Sequence, residues 1–265
     1  MKFALVTKTL RDRWRGTLWW ALAIVGLVSM MMYVYPSIKD TTKEMDAFIA
    51  AMPQVIVSMM RIQDYTSGPG FLGSELFSFM LPIVFIAIAA SSAAAAVADE
   101  EERGTADLIY SLPVARWRVV LSKYIAGWID VAVIALVTFA SLRVGSTIVD
   151  LQIDTGALLA STVAVTLLGI SFGSIAGFVG TLTGRRGASL GAAIGAALAC
   201  FMIYSLAPLV NVLDNVAPYQ PFSWAFGDDP IRNGFDWPGL GWLALFSAVL
   251  YALSLIVISR RDIRG

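Results

Sequence analysis

Leu76–Ala98 reads LFSFMLPIVFIAIAASSAAAAVA, and Asp99-Glu100-Glu101-Glu102-Arg103-Gly104-Thr105 follows at once. As a helix the uncharged stretch is about 35 Å long, enough to cross the hydrocarbon core of a bilayer. The acidic run marks where that helix leaves the lipid. Five other stretches share this character: Thr17–Tyr35, Tyr124–Leu142, Gly156–Leu182, Ala188–Val210 and Leu240–Ser259. Asp130 is the one formal charge inside them. Composition agrees: the chain is 58% hydrophobic and 14% charged, against about 25% charged in a soluble domain. The fold expected is an all-α membrane protein of six transmembrane helices, one transmembrane domain over residues 1–265. The first apolar run ends at Tyr33-Val34-Tyr35-Pro36, not at a small-residue cleavage site, so it reads as a span and not as a removable signal.

Basic residues set the direction, because they concentrate on the cytoplasmic side. With a cytoplasmic amino terminus, the inner segments hold Lys2, Lys8, Arg11, Arg13, Arg15, Arg103, Arg116, Arg118, Lys123, Arg185, Arg186, Arg260, Arg261 and Arg264. The outer side keeps only Lys39, Lys43, Arg61, Arg143 and Arg232. Both termini are therefore expected in the cytoplasm. Aromatic residues fit two interfacial belts, with Trp19, Trp20, Tyr124 and Trp128 near inner ends and Tyr33, Tyr35, Trp237 and Trp242 near outer ends.

Phe3, Val6, Leu10 and Trp14 recur at helical spacing among cations, which predicts an interfacial helix over residues 1–16; a helical extension of the first span is the alternative. Residues 36–74 are expected as an outer loop. Within it Met45, Phe48, Ile49 and Met52 form an amphipathic stripe closed by Pro53, and residues 55–62 could form another, both resting on the spans. Thr66-Ser67-Gly68-Pro69-Gly70 is a turn cluster leading into span two. Residues 211–238 form a second outer loop.

Several classes of function are excluded or disfavoured. The chain has no His and one Cys, Cys200, so no zinc or disulfide framework exists and no metal site is expected. Zero net charge suggests no nucleic-acid partner. No nucleophile–base set lies in the spans, so no catalytic residues are assigned.

The segment over residues 99–122 lies between spans two and three on the cytoplasmic side. Thr105 can cap a short helix, with Asp107 in its first turn. Pro113 ends that helix near Ser111 or Leu112. Leu108, Ile109 and Leu112 give it an apolar side. A second helix then runs into span three, with Arg116, Arg118 and Lys123 in the headgroups. Such a helix suits insertion into a groove on a partner; the same residues read equally as a solvated acidic loop.

Glu101-Glu102-Arg103-Gly104-Thr105 followed by Leu112-Pro113-Val114-Ala115-Arg116 resembles the loop between spans two and three in ABC transporter permeases of the type-2 (exporter) family. The family usually carries Ser where this chain has Ala115. Gly70–Leu76, Pro218-Tyr219-Gln220-Pro221-Phe222 and Arg260-Arg261-Asp262-Ile263 resemble further family segments in the same order. The resemblance implies a coupling helix docked on an ATP-binding subunit through Glu101, Glu102, Gly104, Thr105, Leu108, Ile109, Leu112, Pro113 and Arg116. It also implies two ATP-binding subunits and a second permease, identical or paralogous, in a prokaryotic cell membrane. This chain has no Gly-x-x-x-x-Gly-Lys-Ser/Thr, so ATP and Mg would sit on the partner and no cofactor is expected here. The function expected is the membrane subunit of an exporter for a drug, peptide or lipid. The rival from another class is a mechanotransmitter that acts on an extracytoplasmic partner without moving a substrate.

Inside the spans, Asp130 lies about 10 Å from the inner end of span three. A carboxylate there marks a pathway, or else joins a polar pair near the interface. Pro82 permits a kink in span two, and Ser91 sits in an Ala/Ser run that lets a helix or substrate come close. Gly169, Gly173 and Gly177 in span four, and Gly187, Gly191 and Gly195 in span five, each line one helix face. The tight turn Gly184-Arg185-Arg186-Gly187 suggests the two trios pack together; the resemblance instead suggests span five at a subunit or pathway interface.

Overall fold

The structure is a computed structural model that describes residues 2–53, 56–57, 64–102 and 115–260. Among the described residues it is all helix, and six helices are long and apolar enough to cross a membrane. They are Lys2–Asp40, Gly68–Glu102 as a composite, Arg116–Ile148, Thr155–Thr183, Arg186–Leu206 and Trp237–Arg260, here spans one to six. Successive spans run antiparallel, so Arg13, Glu102, Arg116, Arg186 and Arg260 share one end of the bundle, called the terminal end. The opposite end is the distal end.

Spans two and four are the core of the bundle. In spans two and four 67% and 61% of the apolar stretch is buried, against 22% in each of spans one and five. Lipid is as apolar as leucine, so close packing has to hold these helices together. The Ala/Ser run supplies it: Ala89, Ala90, Ala93, Ala94, Ala96 and Ala98 are buried, and span two lies along span four more extensively than any other pair of spans. Spans one and three form a second pair, and span six covers span four. Tyr124 of span three hydrogen-bonds Ser254 of span six at 2.6 Å, and Tyr251 packs between Tyr124 and Trp128.

Local chemistry sets the boundaries. Asp154 caps span four by accepting from the backbone N–H of Gly156 and Ala157 at 2.7 and 3.2 Å, and Gly184 ends it in the left-handed conformation at φ +65°. Ser67 caps the start of span two by accepting from Gly70 N–H. Span two opens with an α-helical turn, Gly68–Leu72, passes through a π-helical stretch, Gly73–Met80, and becomes α-helical from Leu81. Pro82 explains the transition. It has no N–H to donate and its ring crowds the preceding turn. The wider π turn accommodates both, with Leu81 N–H bonded to Leu76 O and Ser78 Oγ donating to Gly73 O at 2.7 Å.

Four sequence expectations are corrected. Residues 1–16 are not a separate interfacial helix: from Lys2 the helix is continuous to Asp40, because a single Gly16 does not stop a helix. It also passes through Pro36, which costs one backbone bond but is held by buried Tyr35 and Ile38, the first packed against Phe71 with ring centres 5.3 Å apart. Among its described residues the segment 36–74 thus holds the end of span one, the short helix Thr42–Ala51 and the start of span two from Gly68. That helix matches the predicted stripe but does not bury it, since Phe48 is 60% exposed. Residues 211–238 are a chain of short turns, Asn211–Asp214, Ala217–Tyr219, Pro221–Phe226 and Pro230–Asn233, three of them with proline at the start. Phe222, Ala225, Phe226 and Ile231 from these turns are buried in the core.

Candidate functional site

The terminal half of the bundle gathers four polar side chains from three spans. Thr17 Oγ1 in span one donates to Asp130 Oδ1 in span three at 2.9 Å. Arg13, one turn earlier, donates from Nη1 to Ser92 Oγ in span two at 2.8 Å, and its Nε lies 3.9 Å from Asp130 Oδ2. Asp130 is 7% exposed and Ser92 4%. A charge this far inside the apolar stretch needs a partner, and Arg13 and Thr17 supply it. The approach depends on a glycine: a Cβ at Gly127 would collide with Ser92 Oγ, so only Gly lets spans two and three close around the Arg13 side chain. Arg13 therefore ties span one to spans two and three at once.

A second joint lies at the last turn of span two. The backbone N–H of Arg186, first residue of span five, donates to Glu102 Oε1 at 2.7 Å. Span five has no side-chain cap of its own, because Arg185 occupies the cap position without such a bond. Glu102 caps it from another helix, where a carboxylate also faces the positive end of the helix dipole.

These contacts relocate the residues read from sequence. Glu101 and Glu102 end span two and Arg116 begins span three, so both helices lead directly to the intervening segment. Gly104, Thr105, Leu108, Ile109, Leu112 and Pro113, the short helix they were expected to form, and Arg261-Asp262-Ile263 lie outside the described residues. Asp130 has its partners in span one and is not gathered with Pro82 and Ser91. Pro82 is buried near the middle of span two, and Ser91 Oγ bonds its own helix at Ile88 O. Ser92, one residue on, faces the joint. Arg13, Thr17, Ser92 and Arg186 went unread as site residues. The available signal was that a lone buried carboxylate needs a cation, and Arg11, Arg13 and Arg15 stand just before the first apolar stretch.

The glycine trios part company. A Cβ on Gly169 would stand 2.8 Å from Phe85 O, and one on Gly173 3.0 Å from Ala89 Cβ. A Cβ on Gly177 would stand 2.8 Å from the Tyr124 hydroxyl. Span four's glycines thus seat it on spans two and three, which corrects the expectation of packing on span five. Gly187, Gly191 and Gly195 meet nothing within 4 Å. With Ile194, Leu198 and Met202 they make an exposed face on span five.

At the distal end a cavity of about 460 Å³ opens beside the π-helical stretch, lined by Ser74, Ser78, Ser161, Asp64, Asp229 and Arg232 among others. Arg232 bridges Asp64 at 3.3 Å and Asp229 at 3.2 Å across its mouth. Nearby, Tyr65 donates to Glu75 at 2.6 Å; burial first, and then that bond to a carboxylate, hold the phenol above its ordinary pKa. A second, apolar groove of about 820 Å³ runs between spans one and three, lined by Val25, Val28, Met32, Tyr33, Val144 and Ile148 among others.

A family model described as "ABC-2 family transporter protein" matches residues 3–263 of the chain. The chain belongs to that family. No curated protein matches the chain. It is a multi-pass membrane protein and the permease component of an ABC transporter, a component that works with an ABC ATP-binding subunit. In this permease the joint at Glu102 stands where span two meets the segment between spans two and three, and the joint at Arg13 lies several turns deeper in the bundle.

Proposed function

We propose that this permease is the membrane subunit of an ATP-driven exporter in a prokaryotic cell membrane, with the terminal end in the cytoplasm. Two copies of a separate ATP-binding subunit supply the energy, with ATP and Mg bound there. A second permease, identical or paralogous, completes the pathway. The observation that carries the reading is the pair of helices that border residues 103–114 in sequence, Leu81–Glu102 of span two and span three from Arg116. Closure of the ATP-binding subunits against that segment, with Leu108, Ile109 and Leu112 as its apolar side, would move both spans together. The apolar groove between spans one and three supports a hydrophobic or amphiphilic cargo such as a drug, peptide or lipid.

The test begins with purification of the chain from its native membrane in mild detergent and mass spectrometry of what accompanies it. An ATP-binding subunit in stoichiometric amount is the expected result. In the reconstituted complex, Gly104→Ala with Pro113→Ala should leave assembly intact and reduce cargo-stimulated ATP hydrolysis several-fold. Unchanged stimulation, or absence of any ATP-binding subunit, overturns the reading. ATP-dependent movement of cargo into inside-out vesicles separates an exporter from a mechanotransmitter.

A further inference from the structure

Spans one and five are the two most peripheral spans, and each is joined to the span two–span three hairpin at its terminal end by one of the polar joints described above. We infer that Glu102 and Arg13 are positioning residues: Glu102 carries a displacement of the 103–114 segment into span five, and Arg13 carries it into span one. The inference rests on the proposed coupling role of that segment and names the route the motion takes beyond it.

The geometry favours transmission over passive support. Glu102 is the residue next to the segment, and its carboxylate is the cross-helix cap of span five. If the hairpin shifts, the first turn of span five must follow or leave a backbone N–H without its carboxylate. Span five packs on spans four and two, while its Gly187, Gly191 and Gly195 face meets no described residue within 4 Å. Arg13 holds Ser92 and Asp130 simultaneously, so it tracks the hairpin as a unit. Charge-assisted hydrogen bonds, as from Arg13 to Ser92 and from Arg186 N–H to Glu102, are roughly twice as strong as neutral ones, and the two joints connect to different spans. Two separable motions are therefore expected from one input.

The test uses the permease in nanodiscs with its co-purified ATP-binding subunits, Cys200→Ala as background, and a fluorescent thiol label on Leu22→Cys in span one or Ala199→Cys in span five, both exposed positions. The input is a non-hydrolysable ATP analogue. In the background protein both labels should respond. Glu102→Ala should reduce the Ala199 response at least two-fold and leave the Leu22 response unchanged, while Arg13→Gln should do the reverse. Glu102→Gln, which keeps an acceptor oxygen, should restore the Ala199 response. Full responses in Glu102→Ala and Arg13→Gln would overturn the joints and leave the coupling role standing. Loss of both responses in each single variant would also overturn them, since the residues would then be holding up the bundle as a whole. No response in the background protein would overturn the coupling role itself, and the joints with it.

Discussion

Gly169 and Gly195 sit at equivalent places in two trios of the same spacing, yet the bundle uses them oppositely. A methyl group on Gly169 would push against the backbone of Phe85, which cannot swing away; on Gly195 it would meet nothing. Overpacking of this kind typically costs about 1–3 kcal/mol. Gly169→Ala should therefore lower the melting temperature of the detergent-solubilised permease by roughly 2–10 °C. Gly195→Ala should leave it unchanged or slightly raised, because alanine is the better helix former. Thermal unfolding followed by size-exclusion fluorescence checks both, and equal shifts would show that span four does not lie against span two as described. The spacing of the trios was legible in the sequence, but their partners were not. Periodicity fixes which residues share a face and says nothing about what that face meets. The same limit hid the joints. Thr17 and Asp130 stand 113 positions apart, and Glu102 and Arg186 84 apart, distances at which no local pattern operates. Asp130 could be singled out because a lone carboxylate among apolar residues is costly; its neighbours could not.

Among elements, helix existence was readable and helix ends much less so. Each uncharged stretch became a helix, since a bilayer leaves the backbone no other way to satisfy its hydrogen bonds over that length. The ends depended on finer chemistry. Span one runs past Pro36 because Tyr35 and Ile38 are buried beyond the predicted stop. Span two gains a π-helical stretch, which Pro82 hinted at as a kink without giving its form. Span four is the cleanest case, bounded by Asp154 and Gly184. Replacing Asp154 by Ala removes an acceptor shared by two backbone N–H groups and should cost about 1 kcal/mol, a fall of roughly 2–4 °C in melting temperature. Asparagine caps about as well as aspartate, so Asp154→Asn should retain most of the stability. If Asn falls as far as Ala, the aspartate acts through its charge on the helix dipole and not through the cap bond.

For the whole molecule, the uneven burial of the spans points to what lies outside this chain. Span five keeps its terminal half against the hairpin through Glu102, yet turns Gly187, Gly191, Gly195, Ile194, Leu198 and Met202 away from the bundle. Glycines at every fourth position are wasted against lipid, which packs equally well on larger side chains, and are useful against another helix, whose backbone they let approach. The proposed second permease is the partner that fits. Gly191→Trp should then leave the single chain folded, with a melting temperature within about 2 °C of the parent, because a Cβ at that position meets no described residue within 4 Å. It should shift the permease from paired to single chains when counted by mass photometry in nanodiscs, and ATP-stimulated transport should fall with the paired fraction. Gly173→Trp, which points into Ala89 of the same chain, should instead fail at the level of folding. A paired Gly191→Trp permease of unchanged stability would remove span five from the subunit contact and move attention to the other peripheral helix, span one, whose exposed Leu18, Leu22, Val25 and Met30 present the next largest apolar face.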